Sequence, residues 1–432
     1  MMMMMMAMMI FLLHFLFMEK ALTVTQDVNC VRHFIPECVQ HLQELKERTQ
    51  KGLLYGIPVS IKDHIGYKGH LSTCGFTQSL NVLQEEDSVL VKVLKKQGAN
   101  PFVFTNVSQS LFNYDCSNSI FGQTVNPFDH KRTPGGSSGG EGALIAGDLL
   151  FLLSYLSVYY SNSGVRGPID GILSVIGTVG PMARDVDSLV LCMKALLCED
   201  LFQLDPMVPP MPFNEELLHD LPPFPFFALK QSENDIVDSS LKSQVNCFSL
   251  PNLVKKILSK IIKPWVVLLM DSAVKADRHR FIMQAHMVKM WILAQMVENT
   301  VSTTGQPPEC IVWNSVSVVL CSNKYVKMKP MQEQTVNNLW AHHDQVMAYR
   351  QRFADEWKKC KLDVVLCPVL GPAFILGYPA KLPTAISSTM LFNVLNFPAG
   401  IVPITTVTEA DEEEMREYQG LYGDPWDKKL QE

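Results

Sequence analysis

Several familiar signatures are missing from this chain, and each absence removes a class of function. There is no Cys-x-x-Cys pair and no His-Glu-x-x-His run, so the usual zinc frameworks are not written into it. His342-His343 falls on a predicted helix and reads as ordinary surface rather than a metal site. Excess positive charge is absent too. The formal net charge is -6 at pH 7 and no basic stretch is interleaved with aromatics, which excludes nucleic acid as the expected partner. The glycine-rich run near residue 140 is not followed by Gly-Lys-Ser/Thr, so it is not read as a nucleotide P-loop, and no cofactor is called for. The eleven cysteines make an odd count without pairing motifs and read as mostly reduced, buried thiols in a protein whose body faces a reducing compartment.

What is present is a 432-residue chain, 47% hydrophobic and 19% charged, long enough to bury one large core or two ordinary ones. It starts with an apolar run, Met1 to Met18, in which His14 alone is polar. A membrane anchor, a signal peptide and an artefactual start compete here. The run has neither a basic n-region nor a small-residue cleavage site, so the signal peptide is disfavoured. Residues 1–18 are taken as a short anchor, although eighteen residues barely reach across the ~30 Å hydrocarbon core of a bilayer.

The informative stretch runs from Lys131 to Gly147, with Pro134-Gly-Gly-Ser-Ser-Gly-Gly-Glu-Gly142 at its centre. Such a backbone can turn its N–H groups inward, and Glu141 to Ala146 reads as the first turns of a helix. A flexible linker would not run directly into an apolar helix. A serine held in a glycine-rich elbow fits an acyl-transfer site better.

Upstream, Gly52 to Asp63 reads as a strand with Ile57, Val59 and Ile61 on one side and Ser60 and Lys62 on the other. Lys62 is either an edge-strand gatekeeper or a partly desolvated amine able to act as a base. Cys30 to Gln50 carries helical periodicity. Ser88 to Lys96 is a helix capped at Asp87 or Ser88, and Phe102 to Asn106 is the next strand, giving an α/β core with at least one parallel pair. Leu149 to Tyr160 is a buried strand or helix that periodicity cannot resolve. Gly180 to Asp185 reads as a turn opening a helix that runs to about Leu197, and Pro206 to Pro225 as a loop. Asn252 to Lys263 has an apolar stripe opposed by four lysines, which suits a core-covering helix or one lying in a membrane interface. Residues 335–360 read as a further helix, and Asp363 to Cys367 and Ala399 to Ile404 as strands.

Lys62 beside Ser137 suggests a mechanism: a neutral lysine draws a proton from one serine, which relays it from a second, nucleophilic serine. At these residues the chain resembles the amidase-signature family, in its branch acting on fatty-acid amides. The matching segments are Gly52 to Lys62, Tyr67 to His70, Asn106 to Gln109, Tyr114 to Asn118, Phe121 to Pro127, Pro134 to Leu144, Gly180 to Leu197 and Phe397 to Pro403.

The resemblance implies an α/β/α fold around a mixed central sheet, occupying residues 20–432, and a Ser-Ser-Lys triad that hydrolyses the amide bond of long-chain fatty-acid amides. It makes Lys62 the base and Ser137 the bridging serine, with Ser138 beside it. Ser161 would complete the triad, Leu111 and Phe112 would line the acyl channel, Leu111, Ser137, Val158, Tyr159, Tyr160 and Ser161 the substrate site, and residues 245–272 a membrane cap. A lipid amide substrate, an intracellular membrane surface of the endoplasmic-reticulum type and a homodimer are all compatible with it.

Two departures stand out. The family's second glycine-rich loop, which supplies nucleophile and oxyanion amides, is missing. Ser161 stands 24 residues after Ser137 (161 − 137 = 24), at the family's spacing, but among Tyr159, Tyr160 and Asn162 rather than glycines. Alternatively Ser163-Gly-Val-Arg-Gly167 matches the family downstream of its nucleophile, and Asp148 to Asn162 replaces a deleted loop. The chain also ends at Glu432 before the last core strand of the family, implying an incomplete sheet. The second functional reading is therefore a catalytically inactive relative that binds lipid or membrane.

Overall fold

The computed structural model describes residues 2–111, 113–147, 151–154, 161–167, 177–215, 226–228 and 336–359, with short pieces at 362, 364–366, 374–377, 392–401, 408–410 and 413. The readings placed on Phe112, Val158, Tyr159, Tyr160 and the segment 245–272 lie outside these residues. Two compact units divide the chain: residues 1–278 with 334–399, and residues 279–333 with 400–432. The sheet and the candidate site lie in the first.

Among the described residues its centre is a mixed sheet of five strands in the order β1-β3-β2-β6-β7, built from β1 (Val31–Phe34), β2 (Pro58–Lys62), β3 (Asn100–Thr105), β6 (Phe151–Ser154) and β7 (Gly180–Ala183). β2 runs parallel to β3 and to β6, while the outer strands β1 and β7 are antiparallel to their neighbours. The short strands β4 (Ser117–Asn118) and β5 (Gly122–Gln123) pair beside it, and β8 (Phe226–Ala228) pairs with β9 (Val364–Leu366). The chain is thus α/β with a mixed sheet.

Helices cover both faces. On one side α3 (Val89–Lys96), α5 (Val186–Leu196) and α6 (Glu199–Leu204) bury Val89, Leu90, Val93, Leu94, Ala195, Leu196 and Leu201 against Val59 and Ile61 of β2 and Phe104 of β3. On the other, α1 (Met2–Val28) and α4 (Gly139–Ala146) place Ala21, Val24, Val28, Ala143 and Leu144 against Phe102 and Val103. A register shift opposite Val59/Ser60, where Val59 pairs with Pro101 and Ser60 with Val103, accounts for Phe102 and Val103 joining one core while Phe104 joins the other. A strand covered on both faces must be apolar or paired throughout, and all five residues of β2 are buried.

The helix expected over residues 30–50 is two elements. β1 takes Val31–Phe34 and α2 takes Glu37–Glu47. The apolar spacing runs through both, but Pro36 disfavours helical geometry at Ile35, and pairing with β3 holds Val31 to Phe34 extended. Likewise Gly180 to Ala183 is not a turn but strand β7, paired with β6. Among the described residues β7 has a partner on one side alone, and Pro is compatible with a strand in that position. Within Leu149 to Tyr160, which periodicity left open between strand and helix, residues 151–154 form strand β6.

Elsewhere the local chemistry reads directly. Ser88 caps α3 by accepting from Val91 N–H, and Asp185 caps α5 by accepting from Ser188 N–H. The helix α7 spans Val336–Lys359. α1 continues unbroken through residues 18–20, and its stretch Met8–Val28 is long and apolar enough to cross a membrane by length and composition. Met8, Met9, Leu12, Phe15 and Leu16 on it are exposed.

Gly140 sets how closely α4 approaches the sheet. A Cβ there would lie 2.4 Å from the Asn106 carbonyl oxygen and 2.8 Å from that of Cys30. Both are backbone atoms, which cannot swing aside as a side chain can. Gly140→Ala should therefore destabilise the protein by about 1–3 kcal/mol, the usual cost of overpacking, read as a lower denaturation midpoint. An unchanged midpoint would mean α4 is not seated as described.

Candidate active site

Lys62 is the last residue of β2, and its side chain is buried completely. Its Nζ donates to Ser137 Oγ and to Ser138 Oγ, each at 2.8 Å. Ser138 occupies the N-cap position of α4 yet makes no side-chain cap bond, its hydroxyl being turned to the amine instead. The Gly136–Ser137 peptide is cis. A Cβ on Gly136 would stand 2.4 Å from the Asn113 carbonyl oxygen, so only glycine allows this loop to pack so tightly. Gly135-Gly-Ser-Ser-Gly139 also spells the Gly-x-Ser-x-Gly of a nucleophile elbow, but no strand leads into it, so the strand–turn–helix context is missing.

Burial lowers the pKa of Lys62 to about 8, because a low-dielectric setting disfavours the ammonium. The charges and dipoles around it, first Cys116 and then Glu141, Cys74 and Asp63, work in the opposite direction. Burial likewise pushes His64 well below its ordinary range, so the neighbouring imidazole is neutral. The Cys116 thiol is driven up to about 11 and stays protonated. Lys62 is thus a fully enclosed amine that loses its proton at a pH where an exposed lysine keeps it.

The groups around the amine are held firmly. Asp63 accepts from the Arg32 guanidinium, from Thr73 N–H at 2.9 Å, from the Thr73 hydroxyl at 2.8 Å and from Cys74 N–H at 2.7 Å. Arg32 in turn lies 4.4 Å from the centre of the Phe104 ring. Asn106 and Asn118 form a second buried network: Asn118 Nδ2 donates to Asn106 Oδ1 at 2.7 Å, and Asn106 Nδ2 donates to the Thr124 hydroxyl at 3.0 Å. Glu141 accepts from Thr105 at 2.6 Å and from Ser60 at 2.9 Å. Sequence reading missed Arg32, Asp63 and the buried role of Glu141. An acid in the first turn of a helix ordinarily faces solvent, and a carboxylate after a strand lysine carries no mark of its distant arginine.

Leu111 sits in the turn that follows Asn106. Its N–H donates to Ser108, while Ser108 N–H donates to the Ser137 carbonyl. Ser110 and Leu111 both have φ near +60°, a conformation that non-glycine residues hold at a cost and that clusters at functional sites.

Ser161 is placed differently. It is buried, its hydroxyl donates to Asp205 at the C-terminal end of α6 and accepts from Ser163 N–H, and α6 packs on α3. Lys62, Ser137 and Ser138 are therefore brought together, whereas the Ser161 hydroxyl is engaged elsewhere.

An enclosed amine hydrogen-bonded to a serine hydroxyl at the start of a helix is the arrangement of the Ser–Lys class of hydrolytic sites. The comparisons carry the assignment further. The family described as Amidase matches residues 14–153 and 158–420. Fatty-acid amide hydrolase 1 of Sus scrofa is 35% identical over 455 residues, covering 96% of this chain and 76% of that one. Vitamin D3 hydroxylase-associated protein of Gallus gallus is 44% identical over 328 residues, 57% of this chain and 71% of its own. Among solved structures, a fatty acid amide hydrolase superposes with TM-score 0.64 at 23% identity over 88% of this chain and 68% of that one, which speaks to fold alone. The chain belongs to the amidase family, and by family it is an amide hydrolase.

The Arg32–Asp63 pair gives a direct test of the architecture behind the amine. Asp63→Ala leaves a buried guanidinium without its carboxylate and should cost about 3–5 kcal/mol in chemical denaturation. Stability within experimental error of the parent would show that the pair is not buried as described.

Proposed function

We propose that this protein cleaves the amide bond of long-chain fatty-acid amides at a membrane surface, with Lys62 as base and Ser137 as relay. The observation that carries the proposal is the 2.8 Å contact between a fully buried Lys62 amine and the Ser137 hydroxyl. The similarity to fatty-acid amide hydrolases of Sus scrofa and Caenorhabditis elegans supports the substrate class. The exposed apolar residues of α1 support delivery from a bilayer, as a lipid amide requires, with residues 1–18 as the anchor and 245–272 as the cap.

In this scheme neutral Lys62 takes the proton of Ser137, which takes that of the nucleophilic serine as its oxygen attacks the amide carbonyl. The same path returns one proton to the departing amine when the C–N bond breaks. Water then hydrolyses the acyl-enzyme and restores the serine. Ser161 is the proposed nucleophile by spacing, with Leu111 and residues 158–160 lining the acyl site.

A second reading has its own support. Ser161 donates to Asp205 rather than to Ser137. On that basis the nucleophile loop is lost, and the chain retains lipid or membrane binding without turnover.

Hydrolysis of a long-chain fatty-acid primary amide in micelles, followed by ammonia release, separates the two. Only the neutral amine accepts a proton, so activity should rise with pH as Lys62 passes through about 8. Lys62→Ala and Ser137→Ala should each lower turnover by on the order of a millionfold, and a fluorophosphonate probe should label Ser161. An unlabelled chain that releases no ammonia yet binds vesicles supports the second reading and overturns the first.

A further inference from the structure

Glu141 has no part in the proton path just described, yet its surroundings tie it to the base. It is completely buried on the first turn of α4, four residues after Ser137 and three after Ser138. Its two hydroxyl donors come from the strands that frame Lys62. Ser60 precedes Lys62 by two residues and so shares its face of β2, and Thr105 is the register partner of Lys62 on β3. One carboxyl group thus joins β2, β3 and α4 at the amine.

We propose that Glu141 is a positioning residue for the base: it holds Lys62 against Ser137 and Ser138 and governs whether that amine carries a proton. This rests on reading Lys62 as the base. The physical argument follows from enclosure. An ammonium and a carboxylate cut off from water each favour their neutral forms, so the pair can keep one shared proton on either partner at no change in net charge. Burial raises Glu141 to about 8, while its hydroxyl donors and Lys62 act against the rise. With the proton on Glu141, Lys62 is free to accept one from serine. With the proton on Lys62, the carboxylate left behind stabilises the ammonium, and the amine cannot take a proton from serine until that one has returned to Glu141.

The other groups facing Lys62 are less suited to this role. Asp63 is engaged by Arg32, Thr73 and Cys74, the His64 imidazole is neutral, and Cys116 stays protonated. On the Glu141 side the Cys30 thiol is pushed up to about 12 and carries no charge.

The test is a titration of the full chain labelled with 13Cε-lysine, with the Lys62 resonance identified by its loss in Lys62→Met. Glu141→Gln keeps the shape of the side chain but cannot become a carboxylate. Losing that charge destabilises the ammonium, so the Lys62 midpoint should fall by about one pH unit or more. Thr105→Val removes one hydroxyl from the carboxylate, makes its charged form costlier, and should move the midpoint the same way by less. If Glu141→Gln does not fold, Thr105→Val decides. A Lys62 midpoint unmoved in the folded variants overturns the proposal. The titration needs no turnover, so a chain that hydrolyses nothing still reports on Glu141, and an active chain with an unmoved midpoint rejects this role while leaving the hydrolase reading intact.

Discussion

An amine taken wholly out of water is the constraint around which this fold is arranged. Desolvating an ammonium costs several kcal/mol even after the protein relaxes, so the group either finds partners or surrenders its proton. Lys62 does both. Two serine hydroxyls take its hydrogen bonds, and burial moves its titration down to about 8. A chain that puts lysine at the end of a buried strand must then supply those hydroxyls at the right height. The glycine-rich turn before α4 does so.

Each neighbouring device keeps that geometry rigid. Lys62 and Thr105 end adjacent parallel strands, and the carboxyl ends of parallel strands are where open α/β sheets form their ligand sites. Gly136 and Gly140 let backbone approach backbone where any Cβ would collide. The asparagine network of Asn106 and Asn118 ties the loop after β3 to the hairpin β4–β5, and the Asp63–Arg32 pair closes the side behind the amine. These buried polar groups are satisfied by one another, and that mutual satisfaction is what makes them tolerable in a core.

Much of this was legible in residue order. The alternation of Val59 and Ile61 with Ser60 and Lys62 predicts the two faces of β2: the first pair enters one core and the second faces α4, although the strand starts at Pro58 rather than Gly52. The Ser88 cap and the parallel strands around α3 were equally plain. What failed has local causes. The apolar period through residues 31–45 persists across a strand and a helix, so periodicity alone could not mark the break at Pro36. Gly180-Pro181 has the composition of a turn, but pairing with β6 holds it as a strand and outweighs propensity. The buried role of Glu141 and the reach from Asp63 to Arg32 depend on contacts 31 or more residues apart, which no local pattern encodes.

Ser161 marks where sequence spacing and geometry separate. At 24 residues from Ser137 it has the family's interval, yet its hydroxyl serves Asp205 beside α6. The amine and its two hydroxyls do not depend on how that question is answered, and they are the part of the account most open to direct measurement. A double-mutant cycle on folding stability with Lys62→Met, Ser137→Ala and the double variant isolates their interaction without requiring turnover. A coupling of about 0.5–3 kcal/mol is the predicted result, whereas additivity within about 0.3–0.5 kcal/mol would contradict it, because groups in contact do not behave as independent sites.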